Sequence, residues 1–362
     1  MNAPVVLDDF SACVLSGRVA STEGGESRTD RTVEQGLADA VEAEQLGFRR
    51  ILVPERYNLK EAGAFLGGVG ALTSRIGFGT GAMGVRSRHP LVAAGMAATM
   101  QAAYGPRFVL GLGRSLDLLL GKPGHASYQE MIDFSTILKQ LWRGETVTYE
   151  GPAGKFDEIS LGDVHPGPPP EIWITMLGGP LGSEAAANPA FDGVLLYNMM
   201  TPEATHLAVW RIHRACEKAG RDPSTIRICQ PVVTAPDMDD YETRALAHAR
   251  FLTYISQPRE FMAIAMNGWD RDIAFGIRDQ IFAMMQGQNA DLAFHREQLI
   301  EQTRLVPDSW VRDSCATGSS RDCFEMLREY RRAGADEILT YGSSPGQNAG
   351  IVALWKEAAS AV

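Results

Sequence analysis

The feature that most constrains this chain is a repeated syntax: an amphipathic helical segment, then a glycine, then a short apolar run. In the first copy Val33, Leu37 and Val41 fall at helical spacing, Thr32 and Gln35 form a capping-box pattern, Gly47 closes the helix, and FRRILVP follows at 48–54. HLAVWRIHRACEKA, Gly220 and TIRICQPVV repeat the pattern, as do CFEMLREYRRA, Gly334 and DEILTY. Glycine supplies the left-handed residue that ends a helix, and a helix leading back to a parallel strand is the right-handed β-α-β unit. SACVLS, RIGFGTG (75–81), RFVLGLG (107–113), EIWITML (171–177) and FDGVLLY (191–197) bring the strands to eight, most of them apolar throughout, as strands covered on both faces are. Helical segments at 59–74, 89–104, 126–142, 202–219 and 347–361 separate them. Eight alternating units predict an α/β fold, a (β/α)8 TIM barrel, in one domain over 1–362. Two stretches exceed a minimal barrel: a hairpin-like excursion at 145–161 and a long helical insertion at 239–304.

Composition narrows the function. With 45% hydrophobic and 22% charged residues the chain buries a large core and is expected to be soluble. Its 34 Lys and Arg against 44 Asp and Glu, with the arginines scattered, argue against a nucleic-acid partner. Five cysteines without a C-x-x-C pair support neither a disulfide framework nor a zinc site; no metal is expected, and a reducing cytoplasm fits. The N-terminus lacks the positive region of a signal peptide, and the charge-poor stretch 62–85 is glycine-rich with Arg75 inside it, so no membrane span is read.

In a barrel the residues just after each strand carry chemistry. Here they are Ser16 and Arg18, then Glu55, Arg56 and Tyr57, then Gly81 to Met83, then Arg114 to Asp117, Gly178 and Gly179, Tyr197 and Asn198, Thr234, and Tyr341. H-E-x-x-H and P-loop patterns are absent, which removes support for metal hydrolysis. Gly178-Gly179 is either an anion site or an ordinary tight turn. Gly77, Gly79, Gly81, Gly111 and Gly113 mark close backbone approach, and a flat ring against the strands would need such room. Glu55 is either an active-site carboxylate or a rim carboxylate paired with Arg56; Arg114 either meets an anionic cofactor or bridges Asp117. His89 reads as a helix cap, and His206 and His213 as a solvated helix face.

AEQLGFRRILVPER, SRIGFGTGAMG, RHPLVAAGMAATM, GPRFVLGLGRS, LKQLWRGETVTYEG, PPPEIWITMLGGP, FDGVLLYNMMTPE and ATGSSRDCFEMLREYRRAGADEILTY occur in the order found in a known family. The chain resembles the luciferase-like monooxygenase superfamily, in particular its deazaflavin (coenzyme F420)-dependent oxidoreductase branch, over nearly its whole length. The resemblance implies a barrel holding deazaflavin or FMN at the C-terminal ends of its strands. It implies a bulge with a non-proline cis peptide at Gly81-Ala82, a phosphate grip at Gly178 and Gly179, and a cofactor-facing segment at Gly113, Arg114 and Ser115. Where sugar-phosphate dehydrogenases of that branch carry an acid followed by His, this chain has Glu55 followed by Arg56; their glutamate after the fourth strand falls near Leu116, with Asp117 the closest acid.

The expected function is hydride transfer between deazaflavin and an unidentified small organic substrate. Glu55 is the first candidate for proton handling, Tyr197 and Tyr341 are fallback donors, and Arg56 is placed to orient an anionic substrate. The rival readings are an FMN-dependent monooxygenase and, from another class, a non-catalytic deazaflavin-binding protein. The resemblance also implies a homodimer, and helices 59–74 and 89–104 offer small-residue faces (Ala64, Gly67, Gly68, Ala71; Ala93, Ala94, Ala97, Ala98).

Overall fold

The computed structural model describes residues 6–16, 18–23, 26–55, 60–114, 124–164, 166–255, 261–285 and 299–360. Eight parallel strands close on themselves: β1 (Phe10–Cys13), β4 (Arg50–Val53), β5 (Gly77–Thr80), β7 (Phe108–Gly113), β10 (Glu171–Thr175), β11 (Gly193–Leu195), β12 (Arg227–Pro236) and β14 (Glu337–Tyr341), with β14 returning to β1. Pairing of β7 with β10, from Val109↔Glu171 to Leu112↔Ile174, shuts the ring. These are the eight strands read from the sequence. Two short strands extend the C-terminal end: β6 (Met83–Gly84) beside β7, and β13 (Cys315–Gly318) beside β12.

Local chemistry sets the helix ends. Thr32 and Gln35 exchange hydrogen bonds as a capping box at the start of α1 (Val33–Leu46), and Gly47 ends it at φ +87°. His89 caps α3 (Pro90–Tyr104), its Nδ1 accepting from the Leu91 amide at 3.2 Å. Antiparallel pairs form at β2–β3 (Arg18–Glu23 with Glu26–Arg31) and β8–β9 (Val147–Gly151 with Gly154–Ile159). The β2–β3 hairpin has no counterpart in the sequence reading, because RVASTEGGESRTDR carries no apolar alternation.

After β12 the chain runs through α7 (Asp240–Thr243), a π turn (Arg244–His248), α8 (Ala249–Ile255), α9 (Phe261–Met266) and α10 (Arg271–Met285). This region has a core of its own, separate from that of the barrel. Trp269 stacks on Trp310 at 4.9 Å, and Phe251 packs against both. His248 reaches Asp308 at 2.9 Å and pins the π turn to the helix Asp308–Ser314. Among the described residues no helix is long and apolar enough to cross a membrane.

Alternation along the strands sends every second residue into the barrel lumen. Cys13, Leu52, Val109, Trp173, Leu195, Cys229 and Leu339 form its apolar middle. Beneath them lies Glu337, fully buried, which accepts from Ser11 Oγ at 2.5 Å and pairs with Arg50 Nε at 2.9 Å, Arg227 Nε at 2.6 Å and Arg49 Nε at 3.5 Å. The Arg50 guanidinium lies 4.6 Å over the Trp173 ring, so the charged floor and the apolar middle are in direct contact.

Two predictions follow from this packing. Glu337→Ala leaves buried guanidinium groups without their shared counter-charge and is expected to lower unfolding free energy by about 3–5 kcal/mol in urea titration. Burial pushes the His248 imidazole below its ordinary value of 6.5, against the pull of Asp308. An unfolded imidazole takes up a proton below that value while the folded one resists, so the stability held here is intact above about pH 6.5 and lost on acidification toward the folded value. His248→Gln therefore flattens the fall in urea midpoint between about pH 7.5 and about pH 5.5.

Candidate active site

The C-terminal mouth of the barrel is built first by β4, β5 and β7. After β5 the Gly81 amide donates to the Val53 carbonyl at 2.8 Å, the Gly81-Ala82 peptide is cis, and the chain resumes as β6. The Glu55 amide donates to the Ala82 carbonyl at 3.3 Å, so the exit of β4 is tied to the bulge. Gly84 pairs with Gly113, and the Val85 amide donates to the Gly113 carbonyl at 3.2 Å. A Cβ on Gly113 would lie 3.2 Å from Thr175 Oγ1 and 3.4 Å from the Ala82 methyl. Glu55, Gly81, Ala82 and Gly113 thus share one shelf whose side chains, the carboxylate apart, are no larger than a methyl group.

The carboxylate of that shelf is embedded in a charge network. Glu55 has a side chain only 1% exposed, with Oε1 2.5 Å from Arg88 Nη2 and Oε2 accepting from Ser87 Oγ at 3.2 Å. Arg88 also bridges to Glu61, which caps α2 (Ala62–Leu72) by accepting from the Gly63 and Ala64 amides. Burial alone would lower the Arg88 guanidinium, but hydrogen bonds and charge from Glu55 and Glu61 outweigh it and hold it above its usual range. Among the described residues the ion-pair partner of Glu55 is Arg88. Arg56, Tyr57, Ser115, Leu116 and Asp117 lie outside the described residues.

Two glycines in the strands serve another purpose than leaving space for a ring. A Cβ on Gly79 would sit 2.1 Å from the Val109 carbonyl oxygen, and one on Gly111 2.0 Å from that of Thr80. Both are required because β5 and β7 approach each other closely. Arg114 is turned to the protein, its Nε donating to the Ala126 carbonyl at 2.6 Å and its guanidinium lying 4.8 Å from the Tyr128 ring. Gly178 has φ +75°, and a Cβ there would meet the Ala208 methyl at 2.5 Å; its carbonyl accepts from Arg211 at 3.2 Å. Gly179 is the N-cap of the short helix α5 (Pro180–Ala186) and carries no side-chain cap.

The other wall of the mouth comes from β11, β14 and α8. Tyr197 and Tyr254 meet edge to face at 5.5 Å, the Tyr254 and Tyr341 hydroxyls are 3.4 Å apart, and Arg250 lies 5.1 Å from the Tyr341 ring and 5.8 Å from that of Tyr254. Around the barrel β5 is four strands from β12, so this cluster faces the Gly81-Ala82 shelf across the mouth. Asn198, next to Tyr197 and 6% exposed, has a buried Oδ1 with no hydrogen-bond partner among the described residues. Arg88, Arg250 and Tyr254 were missed in the sequence reading; the only local signal was that Arg250 and Tyr254 stand four apart on one helix.

At the opposite, N-terminal face a cleft of about 970 Å³ is lined by Lys139, Arg143, Asp192 and Arg227. Its charges are already paired, Lys139 with Asp192, Arg143 with Glu145 and Arg227 with Glu337, so it offers little to a ligand.

A closed parallel barrel with a small-residue shelf and a buried carboxylate at its C-terminal mouth has the architecture of barrel enzymes, whose chemistry sits at that end. The sequence model of the luciferase-like monooxygenase family matches residues 12–337, and the chain belongs to that family, as an oxidoreductase. It is similar to the F420-dependent glucose-6-phosphate dehydrogenase of Nakamurella multipartita, 31% identical over 59% of this chain and 67% of that protein. It is also similar to the 5,10-methylenetetrahydromethanopterin reductase of Methanolobus tindarius, 25% identical over 84% of this chain and 89% of that one. In fold it matches the coenzyme F420 dependent tetrahydromethanopterin reductase from Methanopyrus kandleri with a TM-score of 0.74 and 18% identity, over 97% and 98% of the two chains.

The two kinds of glycine are separable by experiment. Gly111→Ala drives a methyl into a backbone carbonyl that cannot move without breaking the β5–β7 pairing, and is expected to lower the thermal midpoint sharply in the absence of cofactor. Gly113→Ala meets only a hydroxyl and a methyl and keeps most of that midpoint; equal stability of the two variants would refute the distinction.

Proposed function

We propose that the protein is a coenzyme F420-dependent oxidoreductase that moves a hydride between the deazaflavin and a small organic substrate. The observation that carries this reading is the Glu55–Gly81–Ala82–Gly113 shelf. Its small residues fit a flat ring, and the unpartnered Asn198 Oδ1 supplies a buried acceptor at the same mouth. The F420-dependent relatives favour deazaflavin over FMN. Bound deazaflavin supplies two-electron hydride chemistry at one ring carbon.

The chain's own residues do the rest. Arg88 and Ser87 hold the Glu55 carboxylate at the shelf, where it takes the proton released when substrate is oxidised and returns it in the reverse direction. Tyr197 and Tyr341 line the substrate side and are the reserve donors. The Gly178 and Gly179 amides serve the cofactor phosphate, Arg114 and Ser115 its neighbouring portion, and Arg56 an anionic substrate. The sugar-phosphate chemistry named for the Nakamurella protein is not carried over, since Glu55 is followed here by Arg56. A cytoplasmic homodimer completes the proposal. Ala93, Ala94 and Ala97 are buried within the protomer, which leaves the dimer contact to the outer faces of α2 and α3, where Leu72 and Val92 are more than half exposed.

The test is a fluorescence titration of the purified chain with coenzyme F420 and, separately, with FMN. Preferential F420 binding is expected; preference for FMN would favour a flavin monooxygenase, and tight F420 binding without turnover on any substrate a carrier protein. Glu55→Gln keeps shape and removes charge, so turnover should fall at least about a hundredfold while F420 affinity changes by less than about threefold. Collapse of affinity with surviving turnover would make Glu55 a cofactor residue and pass the proton to Tyr197 or Tyr341.

A further inference from the structure

The floor of the barrel carries more positive than negative charge. Arg49, Arg50 and Arg227 surround Glu337, and Arg227 Nε donates to it at 2.6 Å. Arg50 Nε and Arg49 Nε, 2.9 and 3.5 Å from the same carboxylate, are buried and make no hydrogen bond among the described residues. Glu171, the other carboxylate here, accepts from Trp173 Nε1 at 2.9 Å. Burial, then the charges of Arg50 and Arg227, hold the Arg49 guanidinium below its usual range against the pull of Glu337 and Glu171.

These arginines open on a cleft of about 490 Å³ that adjoins the one whose charges are paired. Its lining carries four arginines, Arg49, Arg50, Arg75 and Arg107, against one carboxylate, Glu171. Arg107 gives its donors to the carbonyls of Tyr104, Ile76, Gly70 and Thr73. Arg75 is exposed, and Glu44, the acid that feels its charge, is taken up by the amides of Ser74, Arg75 and Ile76. Gly77 pairs with Arg50 across β4 and β5, and a Cβ on it would lie 3.0 Å from that of Arg50, so its missing side chain keeps the space beside Arg50 open. Gln101, 2% exposed, also lines the cleft; its Nε2 donates to the Pro168 carbonyl at 2.8 Å, and its Oε1 is buried with no partner among the described residues.

Guanidinium groups crowded round one carboxylate are relieved by a further anion, and their planar forks match phosphate oxygens. A buried amide oxygen beside them calls for a donor. Near neutral pH a phosphate group answers both needs: it is close to dianionic, and it retains a P–OH as the free ion or brings alcohol hydroxyls as an ester of a polyol. Sulfate has the charge without the hydrogen.

We infer that this cleft is a second binding site, at the end of the barrel away from the mouth, for phosphate or a small phosphomonoester. The oxyanion lies against Arg49, Arg50 and Arg75, and a ligand hydroxyl donates to Gln101 Oε1. The site is independent of the hydride transfer proposed for the mouth.

The test is calorimetric titration of the full chain at about pH 7.5 and constant ionic strength with inorganic phosphate, glycerol 3-phosphate and sulfate. Saturable binding of a phosphate compound is expected, favoured over sulfate at least about fivefold because sulfate offers Gln101 no donor. Tighter binding of glycerol 3-phosphate identifies an ester as the ligand, and tighter binding of inorganic phosphate the free ion. Arg49→Gln should weaken binding at least about tenfold. Without phosphate the same variant should melt no lower than wild type, because it removes repulsion from Arg50 and Arg227. Arg75→Gln, at an exposed position, gives a second reading of the loss, while Arg143→Gln, in the adjoining cleft, should leave binding as it is. Coenzyme F420 affinity should stay the same in all three variants. No saturable binding, equal binding of phosphate and sulfate, or phosphate binding indifferent to both Arg49→Gln and Arg75→Gln overturns the assignment.

Discussion

One buried carboxylate holds the barrel together at its closed end. Glu337 on β14 takes a hydroxyl from β1, a guanidinium from β4 and another from β12, so four adjacent strands converge on two oxygen atoms. A lone buried carboxylate is costly; one surrounded by charge-assisted hydrogen bonds is tolerated and directional. The same strand then carries Leu339 into the apolar middle and Tyr341 to the mouth, because side chains two apart share a face. Along a single strand the lumen passes from charge to hydrocarbon to hydroxyl. The carboxylate at the near end is thereby satisfied by the charges around it.

Packing above that floor dictates where glycine stands. Trp173 fills the middle of the lumen, and a Cβ on Gly193 of the neighbouring strand would lie 2.6 Å from its indole nitrogen. Gly79 and Gly111 allow β5 and β7 to close up. At Gly81 and Gly113 the neighbours are side chains, Leu52 and Leu195 beside one, Thr175 and Ala82 beside the other. A run of strand glycines that looks uniform in sequence thus divides by what stands beside each: a backbone carbonyl at Gly79 and Gly111, side chains at Gly81 and Gly113.

This explains what could be read without coordinates. The eight strands and the caps at Thr32, Gly47 and His89 were legible because each is decided within a few residues, by period, cap chemistry or a left-handed turn. That Glu55, Gly81, Ala82 and Gly113 lie together at one end of the barrel was legible because each stands where a strand ends. The pairing of Glu55 with Arg88 was not: Arg88 lies 33 positions further on, and nothing in the intervening segment points to it. Arg250 and Tyr254 were hidden differently. They follow a π turn, which adds a residue to one helical turn and rotates everything after it, so a regular helical wheel drawn through 239–255 assigns them to the wrong face.

The two walls of the mouth therefore differ in what supports them. The shelf belongs to the closed hydrogen-bonded ring and moves only if the barrel does, since Gly81 and Glu55 are tied to Val53 and Ala82 through backbone amides. The tyrosine–arginine wall is carried mainly by α8, whose inner face packs on Trp269 and Trp310 in a core separate from that of the barrel. A change in that second core reaches Arg250 and Tyr254 before it reaches the shelf, because close-packed interiors pass strain to neighbours before distant elements. The same separation means that the helical region can loosen on its own, as His248 is protonated, while the barrel with its Glu337 floor remains closed.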